Sequence, residues 1–242
     1  MFSKKNKISL NDFEFHIKNI QLLFNNKTTT ISYLRVLTDM IQNQQLGYCF
    51  HYINNNLGLD KNSNNIPHYY DYIKAFGKTE NSKIYDLKDS IIEVDLSKDP
   101  IISCIWECSR VKSALENIGD GCILSYSNKE NIFKYDRSNH YVTHIYPLGI
   151  NVVSNGNHSI FSGIIKRKGI VKITSIIDIS NSFPTISYNQ NGLSVDRKQS
   201  KDIPLQSIKE IGIIYEIGKL MKESNQEYIY PQIEEFIRLN KK

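Results

Sequence analysis

The chain reads as an α+β protein on three observations. Both ends carry apolar residues at helical spacing, the middle alternates at strand spacing, and one β-branched run stops at a small polar turn. Leu10, Phe13, Ile17, Ile20 and Phe24 recur at intervals of 3, 4, 3 and 4, which predicts an amphipathic helix over 8–25 with Ser9 or Asn11 as its cap. Ile31, Leu34, Leu37 and Ile41 continue the pattern over 31–53, behind the cap candidates Thr28, Thr29 and Thr30. The two helices make an N-terminal helical annex, 1–66. Its end is marked by the Asn-rich stretch 54–65, since Asn and Gly favour turns and add no packing surface.

The central part, 67–182, opens with a Tyr-rich tract to residue 86 and then changes period. Ile92, Val94 and Leu96 alternate with Glu93 and Asp95, which predicts a strand. After Asp99-Pro100, the spacing of Ile105, Cys108, Val111, Leu115 and Ile118 predicts a helix over 105–118 that stops at Gly119. Short strands are expected around 122–126 and 141–146. The run Ile150, Val152, Val153 predicts another strand, followed by Asn155-Gly156-Asn157-His158-Ser159 and a short helix to about Lys168, closed by Gly169. Residues 171–179 read as one more strand. The C-terminal helical extension, 183–242, begins polar, then carries a helix over 204–222 with Leu205, Ile208, Ile211, Ile214, Ile217 and Met221 on a wide face. A shorter helix follows Pro231.

Composition narrows the function classes. In 242 residues, 40% apolar and 23% charged, there is enough material for a sizeable soluble core. No apolar run approaches the roughly 18 residues of a membrane span, and the basic N-terminus lacks an apolar signal-peptide segment. A cytoplasmic protein with no membrane partner is expected. A net charge of +5, with no block of like charges, permits contact with nucleic acid but does not indicate it. Cys49, Cys104, Cys108 and Cys122 lack a zinc-binding spacing and read as reduced thiols. His140 and His144 lie in a stretch that reads as strand. There they would share a face about 13 Å apart, too far for one metal, so no metal site is expected.

The turn at 155–159 has two readings. Asn155-Gly156 is a strong signal for a tight hairpin, which would make 160–165 a paired strand. Alternatively, Gly156 closes a strand and opens a helix whose first amides face an anion; Gly163 weighs against a strand.

On the second reading, the order strand, helix, strand, Gly-x-His turn, helix, Gly169, strand over 88–182 resembles the ParB/sulfiredoxin-like domain. In that superfamily a Gly-x-His-Arg or Gly-x-Arg-Arg turn receives the phosphates of CTP or ATP. Gly156 matches the family glycine and His158 its third motif position, while Ser159 stands where the family usually has Arg. The resemblance implies a small mixed sheet of that type and a nucleotide, with its Mg²⁺, as ligand or cofactor. Serine cannot replace the bidentate, permanently charged fork of arginine. Either Arg137, Lys166, Arg167 or Lys168 compensates, or phosphate binding is weakened or lost.

The candidate phosphate-binding residues are therefore Gly156, Asn157, His158, Ser159, Arg110 and Arg167. His158 and Glu107 are the candidates for acid–base catalysis, because a histidine at a helix N-terminus is held neutral and able to accept a proton. Ser159 reads as a cap, a phosphate donor or a nucleophile. Trp106 and Arg110, four apart on the expected helix, form either a wall that stacks a base or a face buried under a neighbouring helix. Three functions follow: a nucleotide-binding protein with phosphohydrolase or phosphotransfer activity, by analogy in a bacterial DNA-related or defence system; a non-catalytic module whose helical annexes bind another protein; and a nucleic-acid binder or nuclease.

Overall fold

The computed structural model describes residues 26–54, 67–87, 91–124, 126–189, 192–195, 208–224 and 228–240. The expected helix over 8–25, the Asn-rich boundary 55–65 and the start of the expected helix at 204 lie outside the described residues. In chain order the elements are α1 (Lys27–Asn54), α2 (Tyr69–Ala75), β1 (Lys83–Asp86), β2 (Glu93–Asp95), β3 (Ile101–Ser103), α3 (Cys108–Asn117), β4 (Tyr141–Tyr146) and β5 (Ile150–Asn155). There follow α4 (Asn157–Ile165), β6 (Ile170–Lys172), β7 (Ser175–Asp178), β8 (Ile186–Asn189), β9 (Gly192–Val195), α5 (Lys209–Glu223) and α6 (Pro231–Leu239).

This is an α+β fold around a mixed sheet of order β1-β7-β4-β5-β3. β4 and β5 form an antiparallel pair with Val142 opposite Val153, while β3 joins β5 and β7 joins β4 in parallel. Residues Ile150 to Val153 of β5 are all buried, as expected of a central strand covered on both faces. α2 and α4 pack on β5, and α1 packs on β3, α3 and α5. One hydrophobic core joins Leu34, Leu37 and Ile41 of α1 to Ile102, Val152 and Ile176 of the sheet, Ile160 of α4, Ile214 of α5 and Ile233 of α6. A smaller cluster of Cys49, Ile105, Cys108, Val111 and Phe161 sits between α1, α3 and α4.

Three expectations need correction. The helix expected from Ile105 begins only at Cys108, because the preceding backbone is held extended by side-chain amides. Gln42 accepts the Ser103 N–H at 2.7 Å, Asn157 that of Cys104 at 2.8 Å and Gln45 that of Ile105 at 3.3 Å. Ile105 has helical spacing but is buried from a loop, and Ile101–Ser103 forms a strand that its three residues do not announce. The strand expected over 171–179 is two. β6 pairs with β2 in a separate ladder, and the chain then crosses at Ile173–Thr174 to enter the main sheet as β7. Of the strand expected around 122–126, the described residues hold only an isolated bridge from Ile123 to Glu130.

Candidate functional site

β5 ends at Asn155, Gly156 takes φ +75°, and α4 starts at Asn157, so the strand–turn–helix reading holds and the hairpin reading does not. Glycine is required for two reasons. The left-handed backbone disfavours a side chain, and a Cβ here would lie 2.4 Å from His140 Cδ2 and 2.9 Å from the Asn139 carbonyl oxygen. No side chain caps α4, so its first-turn amides keep their partial positive charge.

The three residues after Gly156 point to different places. Asn157 is buried; its Oδ1 binds the Cys104 amide and its carbonyl accepts Ser103 Oγ at 2.6 Å. Its side-chain oxygen and its carbonyl therefore anchor β3, and its backbone N–H remains to meet a ligand. Ser159 donates its hydroxyl proton to the Gly156 carbonyl at 3.0 Å and meets His140 Nε2 at 2.8 Å. The Asp136 amide donates to His140 Nδ1 at 3.0 Å, so the neutral ring carries its proton on Nε2 and donates it to Ser159. The cap reading fails because Gly156 is the N-cap residue and the Ser159 hydroxyl donates to its carbonyl, and the nucleophile reading does not fit because His140 has no lone pair to take the serine proton.

His158 turns outward. Its Nε2 lies 3.1 Å from the Glu107 carbonyl oxygen, which can only accept, so Nε2 carries the proton and Nδ1 is the basic nitrogen. Burial, with the Arg110 charge adding to it, lowers the ring pKa below the ordinary histidine value and keeps it neutral. Glu107 is the N-cap residue of α3, which also lacks a side-chain cap. The His158–Glu107 bond thus brings the N-termini of α3 and α4 together.

Trp106 sits at this junction, in the extended segment before α3 rather than on the helix, and is 42% exposed. The reading that buried it under a neighbouring helix is corrected. His158 meets its ring edge-on with centroids 5.2 Å apart, and the Arg110 guanidinium lies 4.8 Å from the ring centroid. Arg110 also pairs with the Glu107 carboxylate at 3.1 Å, and Glu107 accepts the Ser109 hydroxyl at 2.6 Å. Trp106, Glu107, Arg110 and His158 are one surface cluster.

Arg167 does not join it. It follows the C-terminus of α4, the opposite end from Gly156, and pairs with Asp39 of α1 at 2.6 Å. Lys166 binds the Ile118 carbonyl and contacts Cys122 Sγ at 2.9 Å, and Lys168 pairs with Asp120. These cations tie α4 to its neighbours. Cys49, Cys104 and Cys108 are buried free thiols and Cys122 is half-buried. Among the described residues no group of three or more His, Cys, Asp or Glu is arranged to hold a metal, and no helix is long and apolar enough to cross a membrane.

His140 is the site residue that sequence reasoning missed. Paired with His144 by their spacing, it instead precedes β4 and reaches across to α4. His144 is fully buried between Asn151 at 3.0 Å and the Tyr228 hydroxyl at 2.8 Å. Nothing in local spacing reveals a partner 19 residues away. No curated protein and no solved structure matches this chain significantly. A family model described as a family of unknown function (DUF6710) matches residues 2–228, and the chain belongs to that family.

Proposed function

We propose that the surface where α3 and α4 begin binds a nucleotide. The observation that carries this reading is the exposed Trp106 ring held between the Arg110 guanidinium and the His158 imidazole, beside two uncapped helix N-termini. A base stacks on Trp106. The phosphates meet the amides at the start of α4 and the charge of Arg110, which leaves Glu107 as they approach. His158, with its Nε2 proton engaged by Glu107, offers Nδ1 to accept a proton from an attacking water, so phosphate-ester hydrolysis is the reaction the site suits. The strand–Gly156–helix order supports kinship with the ParB/sulfiredoxin-like domain, with Arg110 supplying from α3 the charge that Ser159 lacks.

Trp106 is the only tryptophan in the chain, so its fluorescence reports this site alone. Titration with ATP, CTP, GTP and UTP, each with and without Mg²⁺, is expected to quench it with one of the four. The same nucleotide raises Tm, since ligand at a hundred times its Kd stabilises the native state by about 2.7 kcal/mol. Arg110→Ala and His158→Ala should each weaken binding about tenfold or more, as loss of one charged or hydrogen-bonded contact does. Unchanged fluorescence and unchanged Tm at millimolar concentrations of all four would overturn the reading.

A further inference from the structure

The hydrogen bonds under the Gly156 turn have a fixed polarity. The Asp136 amide donates to His140 Nδ1, His140 Nε2–H donates to Ser159 Oγ, and the serine proton goes to the Gly156 carbonyl. The Gly156 carbonyl also takes the Ile160 N–H at 3.0 Å, so the serine proton is its second bond, and the chain has no alternative direction because the Asp136 amide can only give and that carbonyl can only accept. His140 is otherwise enclosed by packing. Phe133 stacks on it at 5.4 Å and 8° between planes, Tyr135 lies at 5.9 Å, and its Cδ2 fills the space that a Cβ on Gly156 would need.

We propose that His140 is a positioning residue for the nucleotide turn: with Nδ1 anchored on the Asp136 amide, its neutral imidazole fixes Ser159 and so adds to the hold on the Gly156 carbonyl at the first turn of α4. The function rests on the reading that this turn binds phosphate; the strut itself does not. The imidazolium keeps its Nε2–H toward Ser159, but the proton added at Nδ1 faces the Asp136 N–H, two donors in opposition, and the ring loses the bond that anchors it under the turn. The charged group bearing on His140 is Asp136, on its own loop, whose Oδ1 is already engaged by the amide and hydroxyl of Ser138. From the same loop Phe133 and Tyr135 face it, and α4 presents uncharged Ser159. Burial lowers the His140 pKa, with Asp136 opposing, so the strut breaks below the ordinary histidine range.

The test follows backbone amides by ¹⁵N NMR between pH 8 and 4.5 without ligand, alongside phosphate and nucleoside triphosphate binding at each pH. In the wild type, the Asp136, Gly156 and Ser159 amides should titrate together with the His140 ring, below pH 6.5. His140→Gln offers an acceptor oxygen to the Asp136 amide and a donor N–H to Ser159 without a titratable group, and should keep the turn but lose the titration. Ser159→Ala should uncouple Gly156 from Asp136. Protonation of His158 adds positive charge and raises phosphate affinity, so the ratio of wild-type to His140→Gln affinity is compared at each pH; it should fall about tenfold across the His140 titration. A ring that titrates while Gly156 and Ser159 do not respond overturns the proposal. So does phosphate binding unchanged in both Ser159→Ala and His140→Phe. A turn that titrates as expected in a protein that binds neither phosphate nor any triphosphate overturns instead the nucleotide reading, and with it the function assigned to His140.

Discussion

Asn157 Oδ1 accepts the Cys104 amide at 2.8 Å, so the first residue of α4 closes the open end of β3. The two segments are more than fifty positions apart in the chain, and this bond sets how α4 sits on the sheet. Both groups are buried. Asn157→Ala strands the Cys104 N–H without water or partner, and we expect it to cost about 1–3 kcal/mol in urea denaturation. A loss below about 0.5 kcal/mol would show that the turn is held by other contacts.

Gly156→Ala combines a left-handed backbone with a Cβ inside contact distance of His140 and the Asn139 carbonyl. The left-handed strain alone is about 1–2 kcal/mol, and displacing a buried ring adds a similar amount. We expect a loss of roughly 2–4 kcal/mol by denaturant unfolding and a changed His140 ring signal in NMR. An unchanged ring signal would separate the glycine from the histidine beneath it.

Stability should fall with acid. His144 is fully buried and its pKa is pushed down to about 4 by loss of hydration, with the Asn151 bond opposing. The native state therefore stays neutral while the unfolded chain, with an ordinary histidine pKa near 6.5, takes up a proton. The stability is complete above about pH 6.5 and is lost as pH falls toward 4, by roughly 3 kcal/mol for this residue. Burial lowers His140 and His158 in the same direction. Urea unfolding at steps of pH should show a less steep acid limb in His144→Gln, lower by close to one proton. An identical slope would mean that His144 is hydrated in solution.

Asp39 stands between two arginines of different burial. Arg35 is buried and lies 2.9 Å from Asp39 Oδ1, whereas Arg167 is half exposed and lies 2.6 Å from Oδ2. Removing the exposed partner in Arg167→Ala should cost no more than about 1 kcal/mol. Asp39→Ala leaves the Arg35 guanidinium buried with only its bond to the Asp99 carbonyl, and should cost about 3 kcal/mol or more. Equal losses would mean that Arg35 finds water or another carboxylate. Since Arg167 lies at the far end of α4 from Gly156, Arg167→Ala should also leave Trp106 quenching by a nucleotide unchanged.

Local pattern by itself determined the parts of this protein whose signal is short-range. The helical spacing of Leu34, Leu37 and Ile41, the β-branched run of β5 and the stop at Gly156 were legible because each depends on residues within one or two turns or on the conformational freedom of glycine. The four-residue spacing of Trp106 and Arg110 also brought those two together, and the guanidinium lies 4.8 Å from the ring centroid. Tertiary structure alone decided the rest. It kept Ile105 out of α3 by giving its backbone to Gln45, divided 171–179 between two sheets, left Trp106 exposed and sent Arg167 to Asp39. It also placed His140 under Ser159. In each case the deciding bond joins groups far apart in the chain, and a buried amide or charge takes whichever partner the packed core brings to it, which no local periodicity encodes.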